Sequence, residues 1–356
     1  MSAKTVLLKG NEALAEGSIQ AGCRFFFGYP ITPQNEIPEY MSRRMQDVGG
    51  VFLQSESELA AINMVFGASA CGARAMTSSS SPGISLKQEG ISFLAGAQLP
   101  AVIVNVQRGG PGLGNISASQ ADYFQAVKGG GHGDYHMLVY APASVQEAYD
   151  LAIKAFEKAD EYRNPIMILA DGVLGQMMEP VKLKAPKLKK TEKPWALTGC
   201  EGREPNVVKS LFMGDGELER MNYVLHRKYQ RMKSREAMAE EFMTDDAELV
   251  VTAYGTAARI AKSAIRKMRN AGKKVGLIRP VTLFPFPEKA YQEAALRAKK
   301  FLTIEMNLGQ MVEDVRLSVN GKRPVEFYGR PGGGVPTPGE LYKIMLKHYP
   351  AGRKKN

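Results

Sequence analysis

Cysteine is scarce in this 356-residue chain: Cys23, Cys71 and Cys200 lie far apart and in no CxxC spacing. The chain by itself therefore holds no four-cysteine iron–sulfur cluster or zinc, and no disulfide framework. Cys23 and Cys71 fall in apolar helical contexts and read as buried, inert thiols. Long apolar runs are missing too. None reaches the ~18 residues of a membrane span, and MSAKTVLLKGNEALAEG lacks the apolar core of a signal peptide. The reading is a cytoplasmic protein without membrane contact. Phosphate-cradling signatures are also absent. Neither G-x-G-x-x-G nor G-x-x-x-x-G-K followed by Ser or Thr occurs, which counts against a Rossmann-type dehydrogenase and against ATP binding. Tryptophan occurs once, at Trp195.

What is present is the composition of a globular protein, 44% hydrophobic and 23% charged. The length suggests about two domains, each large enough for its own core. Net charge is +11, with much of it in Lys182–Lys193 and His226–Arg235. Basic patches draw nucleic acid, membranes or acidic proteins. The first run lacks aromatics and reads as an extended linker; the second lies in a helical region. No nucleic-acid recognition pattern accompanies either. Solvated surface is the preferred account, and a docking patch for an acidic partner the alternative.

Along the chain, residues 1–180 alternate between helical and strand patterns. Helical periodicity covers 10–22, with Asn11 placed as a cap, and then 35–47, 56–70, 86–97 and 144–162. Strands are expected at 25–29, 51–54, 73–79, 101–107, 137–141 and 165–170. The run AVIVNVQ at 101–107 reads as a strand buried on both faces. Such alternation implies an α/β fold with a parallel sheet and right-handed crossovers. Residues 181–245 break the rhythm and read as a linker plus a charged helical excursion. Residues 246–356 resume it as a second, smaller α/β domain.

The stretch from Phe25 to Gly83 carries the polar groups most in need of an account. Tyr29-Pro30-Ile31-Thr32-Pro33 follows one apolar strand and Ser55-Glu56-Ser57-Glu58 follows another, and open α/β sheets bind ligands at the carboxyl ends of their strands. Two readings of Glu58 stay open. Ser55-x-x-Glu58 fits a capping box, and a carboxyl there also suits a ring nitrogen of a bound heterocycle. Glu56, two residues away, points to another side of the helix. Thr32 is either a helix cap ahead of Pro33 or a hydroxyl fixed on an extended backbone for a ligand. In the loop RGGPGLG (108–114), Arg108 suits a carboxylate or phosphate. His132, Asp134 and His136 crowd the loop GGGHGDYH; polar surface is preferred there over a metal site.

Taken together, GYPITPQNEI, QSESELAAINMVFGASACGARAMTSSSSPG and NVQRGGPG resemble the α subunit of 2-oxoacid:ferredoxin oxidoreductases. VVTAYGTA, GLIRPVTLFPFP and IEMNLGQM extend the resemblance over nearly the whole chain. SSSSPGISLKQEGISFLAGAQLP and KGGGHGDY look closest to the 3-methyl-2-oxobutanoate (ketoisovalerate) member, with the 2-oxoglutarate member or a non-catalytic scaffold subunit as alternatives.

The resemblance implies two parallel-sheet domains: a thiamine-diphosphate pyrimidine-binding domain at 1–180 and a transketolase C-terminal-like domain at 246–356. It implies that Glu58 contacts N1′ of the aminopyrimidine and favours the imino form that takes the C2 proton. Tyr29, Pro30 and Ile31 would line the cofactor, and Thr32 and Arg108 would orient the 2-oxoacid. Mg²⁺ and diphosphate would sit on a β subunit, and iron–sulfur clusters on partner chains, including γ and ferredoxin-like δ subunits. In thiamine-diphosphate enzymes GDG with a following Asn binds Mg²⁺. Here Gly214-Asp215-Gly216 is followed at the matching distance by Glu240–Thr244, which contains no Asn, so it is rejected as a metal site. The implied reaction turns a 2-oxoacid, CoA and oxidised ferredoxin into acyl-CoA, CO₂ and reduced ferredoxin, with no nucleic acid involved.

Overall fold

A computed structural model describes residues 4–184, 186 and 191–350. The first part runs β1 (Lys4–Lys9), α1 (Gly10–Gln20), β2 (Phe25–Gly28), α2 (Glu36–Arg44), β3 (Val51–Gln54), α3 (Glu58–Ala70), β4 (Ala75–Ser79), α4 (Ser81–Gly96), β5 (Ala101–Gln107), α5 (Tyr123–Val127), β6 (Leu138–Tyr140), α6 (Val145–Tyr162), β7 (Pro165–Asp171), α7 (Gly172–Gln176) and β8 (Met178–Leu183). The rest runs α8 (Glu217–Glu236), β9 (Ala239–Phe242), β10 (Leu249–Thr252), α9 (Gly255–Asn270), β11 (Val275–Pro280), β12 (Thr282–Phe284), α10 (Glu288–Arg297), β13 (Lys300–Glu305), α11 (Met311–Val319), β14 (Val325–Gly329) and α12 (Pro338–His348).

The larger sheet has seven strands in the order β12-β6-β7-β5-β4-β2-β3. Its strands β2 to β7 are parallel, and β12 joins antiparallel to β6. The apolar runs AVIVNVQ and PIMILAD are β5 and β7, buried at every position in the middle of the sheet. Successive side chains feed opposite layers. Phe26, Val102 and Val104 pack under α1 and α6, whereas Phe27 and Ile103 join the layer that includes Ile62 and Ile91. That second layer continues into the second domain through Tyr254, Leu283 and Phe301.

Four strands escaped the sequence reading. β1 and β8 pair as an antiparallel ribbon, so Lys182 stands opposite Thr5 in a strand and not in an extended linker. Positions 185 and 187–190 of that basic run lie outside the described residues. β9, from the stretch expected to be the excursion, adds antiparallel to β11 at the edge of the second sheet, order β14-β13-β10-β11-β9. β12 leaves the second domain to close the first sheet. Among the described residues no helix is long and apolar enough to cross a membrane.

Polar clasps tie the two parts. Asp171 ends β7 and accepts hydrogen bonds from Thr256 N (3.1 Å) and Oγ1 (2.6 Å) at the start of α9. Arg279, buried on β11, donates to Glu240 (2.6 Å) and to Glu147 of α6 (2.5 Å).

Candidate functional site

The chain steps from β2 outward to β3, then returns past β2 to β4, β5 and β7. The strand order reverses at β2/β4, and such reversals open a crevice at the carboxyl ends of the strands. The segments leaving β2, β3, β4 and β5 there carry Thr32, Glu58, Ser79–Ser81 and Arg108. The four were scattered in sequence and the parallel register brings their segments to one edge.

Glu58 is the first residue of α3. The N-cap is Ser57, whose Oγ accepts from Ala60 N (3.2 Å). This corrects the capping-box reading from Ser55. Ser55 is turned inward and its Oγ donates to the carbonyls of Gly28 (3.1 Å) and Ser57 (2.9 Å), locking β2 to the β3–α3 turn. The helix therefore begins two residues later than the spacing suggests. Glu58 is buried, at 7% exposure, while Glu56 is exposed. Among the described residues nothing hydrogen-bonds the Glu58 carboxylate. The neighbouring Ser79 hydroxyl is buried without a partner, as are those of Thr77 and Ser80 on the same segment. Gly83 leaves room for this arrangement: a Cβ there would collide with Ser79 Oγ and Glu58 Oε1.

Thr32 lies in the turn between β2 and α2 and does not cap α2, which starts at Glu36 behind Asn35. The turn is held from outside. Asn11 Nδ2 donates to Pro33 O (2.8 Å) and to Glu36 Oε2 (2.8 Å), so Asn11 is a buried strut and not the cap of α1. Gln34 is fully buried and its Oε1 accepts from Ser78 Oγ (2.5 Å). Tyr29 and Pro30 are exposed, and Ile31 and Thr32 half-buried.

Arg108 is buried and spans the gap between loops. Its guanidinium donates to Thr32 O (3.0 Å) and Leu113 O (3.1 Å), while Nε stays buried without a partner. Its backbone N–H donates to Ser81 Oγ (3.0 Å), which in turn donates to Asp122 Oδ2 (2.6 Å). Burial pushes the Asp122 carboxyl up, against the hydrogen bonds from Ser81 and Asn105. Ser81 holds its place at φ +21°, a conformation unusual for a residue with a side chain.

Other candidates do not converge here. His132 and Asp134 are exposed. His136 stacks on Phe284 at 4.2 Å, and burial pushes its imidazole down from the usual value. Asp215 sits in the exposed turn before α8. Cys23 is buried but Cys71 is exposed, because it follows the last turn of α3 as the chain leaves the core. Gln34, Ser81, Lys87 and Asp122 were missed. The signal for the serines was legible: five hydroxyl residues in a row, Thr77–Ser81, at the carboxyl end of a buried strand.

The chain is similar to known proteins over most of its length. The family model described as pyruvate flavodoxin/ferredoxin oxidoreductase, thiamine diP-binding, matches residues 16–243, and pyruvate:ferredoxin oxidoreductase core domain II matches 247–341. A ketoisovalerate oxidoreductase subunit VorB from Methanothermobacter thermautotrophicus is 52% identical over 332 residues, covering 93% of this chain and 94% of that one. A 2-oxoglutarate synthase subunit KorA from the same organism is 37% identical over 370 residues, covering 96% and 98%. A solved 2-oxoglutarate:ferredoxin oxidoreductase from Magnetococcus marinus superposes with a TM-score of 0.86 at 26% identity, over 97% of this chain and 65% of that longer one.

Proposed function

The chain belongs to the 2-oxoacid:ferredoxin oxidoreductase family, and from that premise we propose that it supplies the pyrimidine half of a shared thiamine diphosphate site in a complex that oxidises 3-methyl-2-oxobutanoate. The observation that carries the reading is the buried, unpartnered Glu58 carboxylate at the β2/β4 crevice. The substrate assignment rests on 52% identity to a ketoisovalerate oxidoreductase subunit against 37% to a 2-oxoglutarate synthase subunit.

The residues present fit the group. A carboxylate without an internal partner, the buried Ser79 hydroxyl near it and the bare Cα of Gly83 suit a flat heterocycle with ring nitrogens. When bound, thiamine diphosphate supplies the nucleophilic carbon that attacks the 2-oxoacid carbonyl. Glu58 holds a proton at the ring nitrogen N1′. Arg108 would pair with the substrate carboxylate, and Thr32 would offer its hydroxyl to the 2-oxoacid. Tyr29, Pro30 and Ile31 form the wall of the cradle on the β2 side.

A one-sided cradle needs a second wall. Val51 and Leu53 of edge strand β3, Leu59 of α3 and Leu86 of α4 are exposed apolar side chains on the same elements. Such an edge calls for a cover. A β subunit carrying Mg²⁺ and the diphosphate half suits it, with γ and ferredoxin-like δ subunits holding the clusters that pass electrons to ferredoxin. The two exposed thiols, Cys71 and Cys200, suit a reducing cytoplasm.

The test is turnover with CoA and a viologen dye. The complex purified with its partner chains is expected to give its highest kcat/KM on 3-methyl-2-oxobutanoate, and the isolated chain none. Turnover by the chain alone, or preference for 2-oxoglutarate, overturns the assignment.

A further inference from the structure

Helices α3 and α4 pack against each other in close contact. On α4, Gly83, Lys87 and Gly90 follow the i, i+4, i+7 spacing of one helical stripe. Opposite them on α3 stand Glu58 and Ile62, again one turn apart. A Cβ on Gly90 would lie 2.5 Å from Ile62 Cγ2, and one on Gly83 would strike Glu58. The two glycines thus bring the helices together, and the residue held between them is a lysine.

Lys87 is 0% exposed. Its Nζ makes one hydrogen bond, to the main-chain carbonyl of Glu58 at 3.3 Å, and no ion pair among the described residues. Burial pushes its ammonium down to about 8, and the nearby charge of Glu58 opposes the shift. Buried ammonium groups are ordinarily paired. This one also sits by the N-terminal turn of α3, where a helix disfavours positive charge. Packing gives no reason for it, since the flanking Ile84 and Ile91 are apolar and fully buried. What the ammonium does hold is the backbone of Glu58 at the end of a helix, where the first turn is the part that frays.

We propose that Lys87 is a positioning residue for Glu58: its ammonium pins the Glu58 carbonyl inside the dry α3–α4 contact and so fixes the direction in which the carboxylate leaves the helix. The inference rests on the reading of Glu58 as the partner of the pyrimidine ring. Gly83 clears the path on one side, and Lys87 anchors the main chain on the other.

The experiment uses the assembled complex with thiamine diphosphate bound. Lys87→Met keeps the length of the side chain and removes the donor. Its melting temperature is expected to hold or rise, because an isolated buried charge is gone. C2–H/D exchange of the bound cofactor and kcat are expected to fall together by about tenfold, the worth of one hydrogen bond from a charged group, with KM for the 2-oxoacid and CoA little changed. Amide exchange at Ala60–Ile62 is expected to quicken while that of α4 does not. Lys87→Gln, which keeps N–H donors, is expected to fall between, and it carries the comparison if Lys87→Met does not assemble. Wild-type C2 exchange and wild-type amide exchange in a folded Lys87→Met complex overturn the inference. Glu58→Gln separates the two levels. If that variant also exchanges C2 at the wild-type rate, the pyrimidine reading itself fails; if it is slow and Lys87→Met is not, only the role of Lys87 falls.

Discussion

Two glutamates two residues apart have opposite environments: Glu56 is exposed and Glu58 buried. Glu58→Gln keeps the volume and removes the ability to hold a proton at a ring nitrogen. In the complex it is expected to lower kcat and C2–H/D exchange by about 10²–10⁴-fold, the usual worth of positioned proton transfer. Glu56→Gln is expected to leave both unchanged, and a similar loss in the two variants would point to an electrostatic effect of the whole turn. With Ser57 as the cap, stability is expected to be insensitive to Glu58→Gln. The same scale decides Arg108. Its guanidinium already joins the Thr32 and Leu113 loops, so Arg108→Ala removes a strut as well as a charge. KM for the 2-oxoacid is expected to rise far more than KM for CoA, matching the roughly 2–5 kcal/mol lost when one partner of a desolvated charge pair is deleted. Equal rises would assign Arg108 to the loops alone. Thr32, Glu58 and Arg108 were legible as candidates because each follows an apolar strand. The cap was not legible, since Ser55 and Ser57 both flank the helix and only the fold shows Ser55 engaged with Gly28.

At the level of elements, the α3–α4 contact sets the geometry around Glu58. Gly90→Ala places a Cβ against Ile62 in a contact with no slack. Overpacking of this kind is expected to cost about 1–3 kcal/mol, read as a lower midpoint in chemical denaturation. Because Glu58 rides on the first turn of α3, kcat is expected to fall in the folded fraction as well. An unchanged midpoint would mean that Ile62 repacks freely and that the close approach is incidental. The helices and the inner strands of both sheets could be read from periodicity and apolar runs. β1, β8, β9 and β12 could not. Each exists only because a partner distant in sequence meets it, as Lys4–Lys9 meets Met178–Leu183. Asn11 illustrates the same limit for side chains. Its position near a helix start suggests a cap, but its contacts are with Pro33 and Glu36, which only the fold brings near.

For the whole molecule, the described residues from Trp195 to Glu236 form a brace and not a free tether. Trp195 stacks under the Arg163 guanidinium at 4.6 Å, at the end of α6. Lys228 of α8 is buried, and its Nζ donates to the carbonyl of the same Arg163 at 3.0 Å. The basic run His226–Arg235 is therefore only partly solvated surface. Burial, then the charges of Arg163 and Arg231, push the Lys228 ammonium down to about 7. The sign follows from linkage. In the unfolded chain a lysine keeps its proton to about 10.4, so between about pH 7 and 10.4 the unfolded state binds the proton that the folded state gives up. Over that window stability gains from Lys228 as pH rises, by at most roughly 1.4 kcal/mol per pH unit. Below it the full cost of the buried charge is present. Lys228→Met removes the charge and keeps the length. The variant is expected to be more stable than wild type at pH 6.5, with an advantage that shrinks steadily toward pH 9.5. Lys87 titrates in both proteins and cancels in the difference. Chemical denaturation at four or five pH values measures it. An advantage that does not change with pH would mean that Lys228 stays protonated in the fold, with water reaching its ammonium, and that α8 is held to the first domain less tightly than its contacts with Arg163 imply.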